Sequence, residues 1–137
     1  VLDSQLRTPP TARVLDGRAP TVIYTNHAHA GAPIPGAEVK AAGEYTVDLA
    51  RVLADLEARG VRSLMVEGGA RVLASFLREG LWDEMTVYIA PLVVGDGAPS
   101  FAEGRVSDGL QGRALTLTTV ARLGEGVLHT YHPRKEG

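Results

Sequence analysis

The chain has no cysteine. Disulfides, thiolate nucleophiles and Cys-ligated zinc or iron–sulfur sites are thereby excluded. Aromatics make up only 5% of the 137 residues, so Val, Leu, Ile and Ala must fill the core. Neither sign of charge dominates: 14 Lys and Arg face 16 Asp and Glu, for a formal net charge of −2. No global field then draws the chain onto nucleic acid or an anionic membrane. No apolar run approaches the ~20 residues of a membrane span, and no secretory signal is recognisable. These absences make a soluble, cytoplasmic protein the default reading, with no nucleic-acid or membrane partner expected.

What is present is an ordinary globular balance, 45% hydrophobic and 22% charged, in a length that suits one domain. The opening Val1-Leu2-Asp3-Ser4 reads as the tail of a strand that starts upstream. Residues 5–20 hold Pro9, Pro10, Gly17 and Pro20 and read as an irregular connection. Thr21 to Thr25 is a β-branched run expected as a buried strand, and Glu38-Val39-Lys40 as a short edge strand. Leu49, Val52, Leu53 and Leu56 follow helical spacing, with Thr46 or Asp48 as cap and Gly60 as stop. Val61 to Val66 is expected as a strand. A second helix follows, marked by Val72, Leu73, Phe76 and Leu77 and ended by Gly80. Met85 to Ala90 reads as a strand and Leu92 to Phe101 as a loop. Leu115–Leu123 and Val127–His132 read as a closing hairpin about Gly124-Glu125-Gly126. Strands alternating with helices predict an α/β fold with a mostly parallel mixed sheet flanked by helices.

Chemistry concentrates at Leu64-Met65-Val66-Glu67-Gly68-Gly69-Ala70-Arg71. An apolar run ends, two glycines follow and a helix begins. The first N–H groups of a helix lack internal partners and carry the positive end of its dipole. Glycines remove the Cβ atoms that would hold a phosphate away, which is a recipe for binding a pyrophosphate. The spacing is not G-x-G-x-x-G, and the same residues also suit a plain tight turn with a solvated Glu67. Ser4, Arg7 and Thr8 share a loop that could cradle a phosphomonoester or serve as an ordinary turn. His27 and His29 form an H-x-H without a third metal ligand nearby, so no metal site is expected. His129 and His132 face opposite sides of a strand. Asp83 and Glu84 suit turn or capping roles. Ser75 lacks the context of a hydrolase nucleophile.

Four segments, in order, carry a resemblance: residues 1–9 (VLDSQLRTP), Val66-Glu67-Gly68-Gly69, Gly80-Leu81-Trp82-Asp83-Glu84, and Tyr88 to Gly95 (YIAPLVVG). Together they make the chain similar to the riboflavin-biosynthesis reductase domain, the C-terminal half of bifunctional deaminase-reductases, which is dihydrofolate-reductase-like in fold. The resemblance runs over essentially the whole chain. It implies that 1–137 is the C-terminal portion of one reductase domain whose N-terminal part is missing. It implies NADPH-dependent reduction of a phosphoribosylamino-pyrimidine to the ribitylamino product. By position it implies that Ser4 contacts the cofactor and that Glu67 contacts substrate. Gly68, Gly69, Ala70, Arg71, Val72, Leu73, Ala74 and Ser75 would form the cofactor-binding turn and helix start. Arg7 lies where the cofactor's 2′-phosphate could be reached. No catalytic residue is assigned, and a homodimer is expected. Two other readings stand beside this one: a truncated dinucleotide-binding or structural remnant without activity, and a related reductase acting on a pterin-like substrate.

Overall fold

The computed structural model describes residues 1–97, 100–101 and 114–134. The chain forms two compact units, Val1–Leu64 and Met65–Gly137.

The first unit is built on β1 (Val22–Thr25) and β2 (Glu38–Ala41), which pair in parallel with Val22 opposite Glu38. Leu2 makes a parallel bridge to Tyr24 on the other side of β1, as expected of a strand tail. The bridge is closed by Tyr24 N donating to Val1 O (2.8 Å) and Asp3 N donating to Tyr24 O (2.9 Å). β1 is therefore a central strand. Its residues Ile23, Tyr24 and Thr25 are consecutively buried, the pattern of a strand covered on both faces. α1 (Leu49–Ala58) lays its apolar stripe here: Val52 packs with Tyr24 and Ala42, and Leu2, Val22, Val47 and Leu56 close the cluster. Asp48 caps α1, its Oδ1 accepting from Arg51 N at 3.1 Å. Gly60 ends it in the left-handed region, at φ 84°. Between β1 and β2 the chain makes a 3₁₀ turn at His27–His29.

The second unit holds α2 (Ala70–Glu79), β3 (Met85–Ile89), β4 (Leu115–Leu123) and β5 (Gly126–Pro133). The strands form an antiparallel sheet in the order β3-β5-β4. The closing hairpin turns where the sequence places it. Gly126 is required there, because a Cβ would strike the Tyr88 ring. A bulge between Leu117 and Thr119 lets the Thr118 hydroxyl donate to Thr130 O. The expected loop after β3 has no helix or strand in its described part, and residues 98–99 lie outside the described residues.

The α/β class holds, with parallel and antiparallel pairing segregated into separate sheets. One expected element is absent. Residues 61–66 form no strand. The N–H of Val61 is spent on Leu56 O at the end of α1. Val61, Leu64 and Met65 are exposed, and no described residue pairs with this stretch. A β-branched apolar run suits burial in a sheet, but a ladder exists only where a neighbour offers its own N–H and C=O groups.

Candidate functional site

The expected site residues fall on both units. Ser4 and Arg7 belong to the first; Glu67 and the run from Gly68 to Ser75 belong to the second.

The loop after Leu2 is tightly specified. The Asp3 carboxylate accepts from both the N–H and the hydroxyl of Thr8, each at 2.7 Å. Burial pushes this carboxyl up, but these bonds and N–H groups of Arg7 and Gln5 outweigh it and hold Asp3 below its ordinary value. Leu6 takes a positive φ of 51°, a conformation costing a non-glycine residue about 1–2 kcal/mol. Ser4 is fixed through its main chain and its side chain. Its carbonyl accepts from the Thr25 hydroxyl and from Asn26 N, and its hydroxyl accepts from Val47 N at 3.1 Å. The hydroxyl proton is left for an outside acceptor. The Arg7 side chain is exposed.

Beside Ser4 lies an open depression of about 700 Å³ lined by His27, Gly43, Glu44, Tyr45, Thr46, Asp48 and Arg51. It sits at the carboxyl ends of β1 and β2, where ligands of parallel sheets bind. Nothing in the sequence pattern marked it. Among the described residues the buried Asn26 Oδ1 has no hydrogen-bond partner, although Asn26 Nδ2 donates to Tyr45 O at 3.2 Å.

In the second unit, Gly69 is the N-cap of α2, at φ −63° and ψ 164°, with no side chain to satisfy the helix end. Hydrogen bonding onto Gly69 O starts with Val72 N (3.0 Å) and Leu73 N (3.3 Å). The two glycines differ in kind. A Cβ on Gly68 would come within 2.7 Å of Val72 Cβ, so Gly68 serves the packing of the turn. A Cβ on Gly69 would meet nothing within 4 Å, so the position beside the Gly69 backbone is open. That space fits a group brought up to the backbone, as a pyrophosphate would be. Glu67 is exposed, and it follows an unpaired segment rather than the carboxyl end of a strand. Ala70 and Arg71 form the first turn. Ala74 is buried, and the Ser75 hydroxyl accepts from Arg78 at 3.2 Å.

Sequence reasoning missed a charge cluster that ties α1 to the parallel pair. Asp55 accepts from Lys40 Nζ, from the Tyr24 hydroxyl (2.7 Å) and from Arg59 Nε (2.7 Å). Arg59 also grips Glu38 with two nitrogens, at 2.8 and 2.6 Å. The Lys40 bond, then that of Tyr24, holds the Asp55 carboxyl well below the carboxylate range. Burial, and then the Asp55 carboxylate, pushes the Tyr24 hydroxyl up to about 12. The signals were Asp55 and Arg59 at i,i+4 and Glu38 and Lys40 at i,i+2. All five groups are spent on one another, so the cluster is a clamp. Elsewhere, His129 Nδ1 lies 3.1 Å from the Tyr131 hydroxyl, and His132 Nδ1 lies 3.0 Å from Asp83 O. Among the described residues no three His, Asp or Glu side chains gather as a metal site. No helix among them is long and apolar enough to cross a membrane.

The first unit thus carries a depression at the ends of parallel strands, and the second a glycine-fronted helix start. Residues 1–129 match the model of the RibD C-terminal domain, and the chain belongs to that family. It is 38% identical over 137 residues to the 2,5-diamino-6-ribosylamino-4(3H)-pyrimidinone 5′-phosphate reductase of Methanothermobacter thermautotrophicus, covering 96% of this chain and 63% of that protein. Against the reductase of the same name from Archaeoglobus fulgidus it is 32% identical, covering 92% and 58%. The chain thus spans about three-fifths of the length of these curated relatives. A pyrimidine reductase-like protein of Corynebacterium diphtheriae shares the fold, with a TM-score of 0.77 at 20% identity over 98% of this chain and 60% of that one. A deaminase/reductase of Thermotoga maritima does so with a TM-score of 0.72 at 21% identity, over 98% and 36%.

Proposed function

We propose that the chain is the C-terminal portion of a reductase domain of riboflavin biosynthesis. Its substrate is 5-amino-6-(5-phosphoribosylamino)uracil or the 2,5-diamino pyrimidinone analogue. NADPH, when bound, supplies the hydride that converts the ribosyl group to the ribityl product. Family membership and the printed names of the relatives support the reaction class. The observation that carries the cofactor assignment is the open position beside the Gly69 backbone, at the start of α2.

In this reading the main chain at Gly69 and Ala70 holds the pyrophosphate, aided by the positive end of the α2 dipole. Ser4 donates its remaining hydroxyl proton to the cofactor. Arg7 adds a charge-assisted contact to the 2′-phosphate. Glu67 is exposed and accepts from ribose hydroxyls or pyrimidine amino groups. Its carboxylate also steadies the positive charge of the opened imine. The protein acts in the cytoplasm as a homodimer. The long edge strand β4, with Leu117, Val120 and Leu123 exposed, supports self-association.

The test is NADPH oxidation by the protein with each of the two pyrimidines, with the ribityl product identified by mass. Oxidation with one of them establishes the reading and selects the substrate. Binding of NADPH without turnover of either would overturn the substrate assignment.

A further inference from the structure

We infer that Asp3 and Thr8 are positioning residues: they hold Leu6 in a left-handed conformation that presents Arg7 to the 2′-phosphate, and so set the preference for NADPH over NADH. This inference rests on the Arg7 contact proposed above. Every residue it uses lies in Val1–Leu64.

The first observation is strain. Leu6, at φ 51°, is the one non-glycine residue with a positive φ among the described residues. Such a conformation persists only where its surroundings enforce it, and such positions gather at ligand clamps. Leu6 stands between Ser4 and Arg7, the two residues of this loop read as cofactor contacts.

The second is the device that enforces the strain. Asp3 is anchored to β1 by its N–H, which donates to Tyr24 O at 2.9 Å. Its carbonyl accepts from Leu6 N at 3.1 Å. Its Oδ2 accepts from both the N–H and the hydroxyl of Thr8, each at 2.7 Å. A plain turn needs only the carbonyl bond. The carboxylate closes the loop a second time, on the far side of Arg7. Asp3 titrates below its ordinary value, so this acceptor is charged at neutral pH and its bonds are of the stronger, charge-assisted kind.

The third is a division of labour. Ser4 is held by groups outside the loop: the Thr25 hydroxyl and Asn26 N on its carbonyl, and Val47 N on its hydroxyl. Removing the Asp3 carboxylate therefore leaves Ser4 in place and releases only the stretch from Gln5 to Thr8. The Arg7 side chain is exposed, so its direction is set by the backbone that carries it. Ordering that backbone on folding spares the cost of ordering it on binding.

The test is calorimetric titration with NADPH and with NADH. It uses the wild type, Arg7→Ala, Asp3→Ala, Thr8→Val and the double variant Asp3→Ala with Arg7→Ala, with melting temperatures read alongside. Wild type should prefer NADPH. Arg7→Ala should weaken NADPH about tenfold or more and spare NADH. Asp3→Ala should do the same, although Asp3 is not itself a cofactor contact in this reading, and Thr8→Val should lose part of the preference. The double variant should bind NADPH no more weakly than Arg7→Ala, because an absent guanidinium has nothing left to position. Preference lost in Arg7→Ala and kept in Asp3→Ala would overturn the inference and leave the Arg7 contact standing. So would an equal loss for both nucleotides in Asp3→Ala, which is the mark of a purely structural residue. A wild type that binds both alike, or a preference kept in Arg7→Ala, would overturn the Arg7 contact and the inference together. Binding of neither nucleotide by the wild type would overturn the dinucleotide reading and this inference with it. Should Asp3→Ala fail to fold, Thr8→Val decides, and an undiminished preference there would overturn the inference.

Discussion

At the scale of single residues, the double glycine separates into two different requirements. Gly68→Ala places a methyl against Val72, and the resulting overpacking is expected to cost about 1–3 kcal/mol in a urea titration. Trimming the neighbour should relieve it, so Gly68→Ala with Val72→Ala should cost less than the sum of the single changes. Gly69→Val meets open space and should leave a folded protein, while filling the approach to the helix start. NADPH affinity should then fall by about tenfold or more, read by calorimetry. Unchanged affinity would refute a pyrophosphate at this turn. Glu67→Gln removes only the charge from an exposed side chain. It should lower turnover or substrate affinity and spare NADPH affinity; a change confined to NADPH binding would move Glu67 into the cofactor site.

At the scale of elements, local periodicity carried most of the fold. The stripe of Leu49, Val52, Leu53 and Leu56 gave α1, the run at Val22–Thr25 gave β1, and Gly124 with Gly126 gave the hairpin. Each is settled by residues close in sequence. Val61–Val66 was misread because the apolar residues Val61, Leu64, Met65 and Val66 state a preference for burial and are silent about a pairing partner. The Asp55 clamp was missed for a related reason: Lys40 lies 15 residues from Asp55 and Glu38 lies 21 from Arg59, and only folding joins β2 to α1 there. The α2 turn and Ser4 could be read as candidates, whereas the depression by Tyr45 depends on two loops meeting. The clamp makes stability depend on pH. Asp55 titrates lower in the folded chain than in the unfolded one, so its contribution is full above about pH 4 and fades as pH falls further. Tyr24 titrates higher, near 12 against 10.0, so its contribution is full below about pH 10 and fades between 10 and 12. Asp55→Asn should lower the melting temperature at neutral pH and flatten its acid decline. Tyr24→Phe should flatten the alkaline decline.

At the scale of the whole molecule, apolar side chains remain open on the second unit's sheet, among them Tyr88, Ile89, Leu117, Val120 and Leu123. Among the described residues both β3 and β4 are edge strands. Light scattering is expected to give a mass of two chains, and charged replacements at Val120 and Leu123 should shift it toward one. A single-chain mass for the wild type would remove the homodimer from the proposal. The stretch from Val61 to Gly69 carries a different consequence. It joins the two compact units with exposed, unladdered backbone that includes Arg62. Proteases bind their substrates as extended chain, and a segment without ladder bonds reaches that shape with little local unfolding. Brief trypsin treatment should therefore nick the native protein first after Arg62, well before it reaches Arg51 and Arg59 within and beside α1. Mass spectrometry would then find two fragments that meet between Arg62 and Ser63.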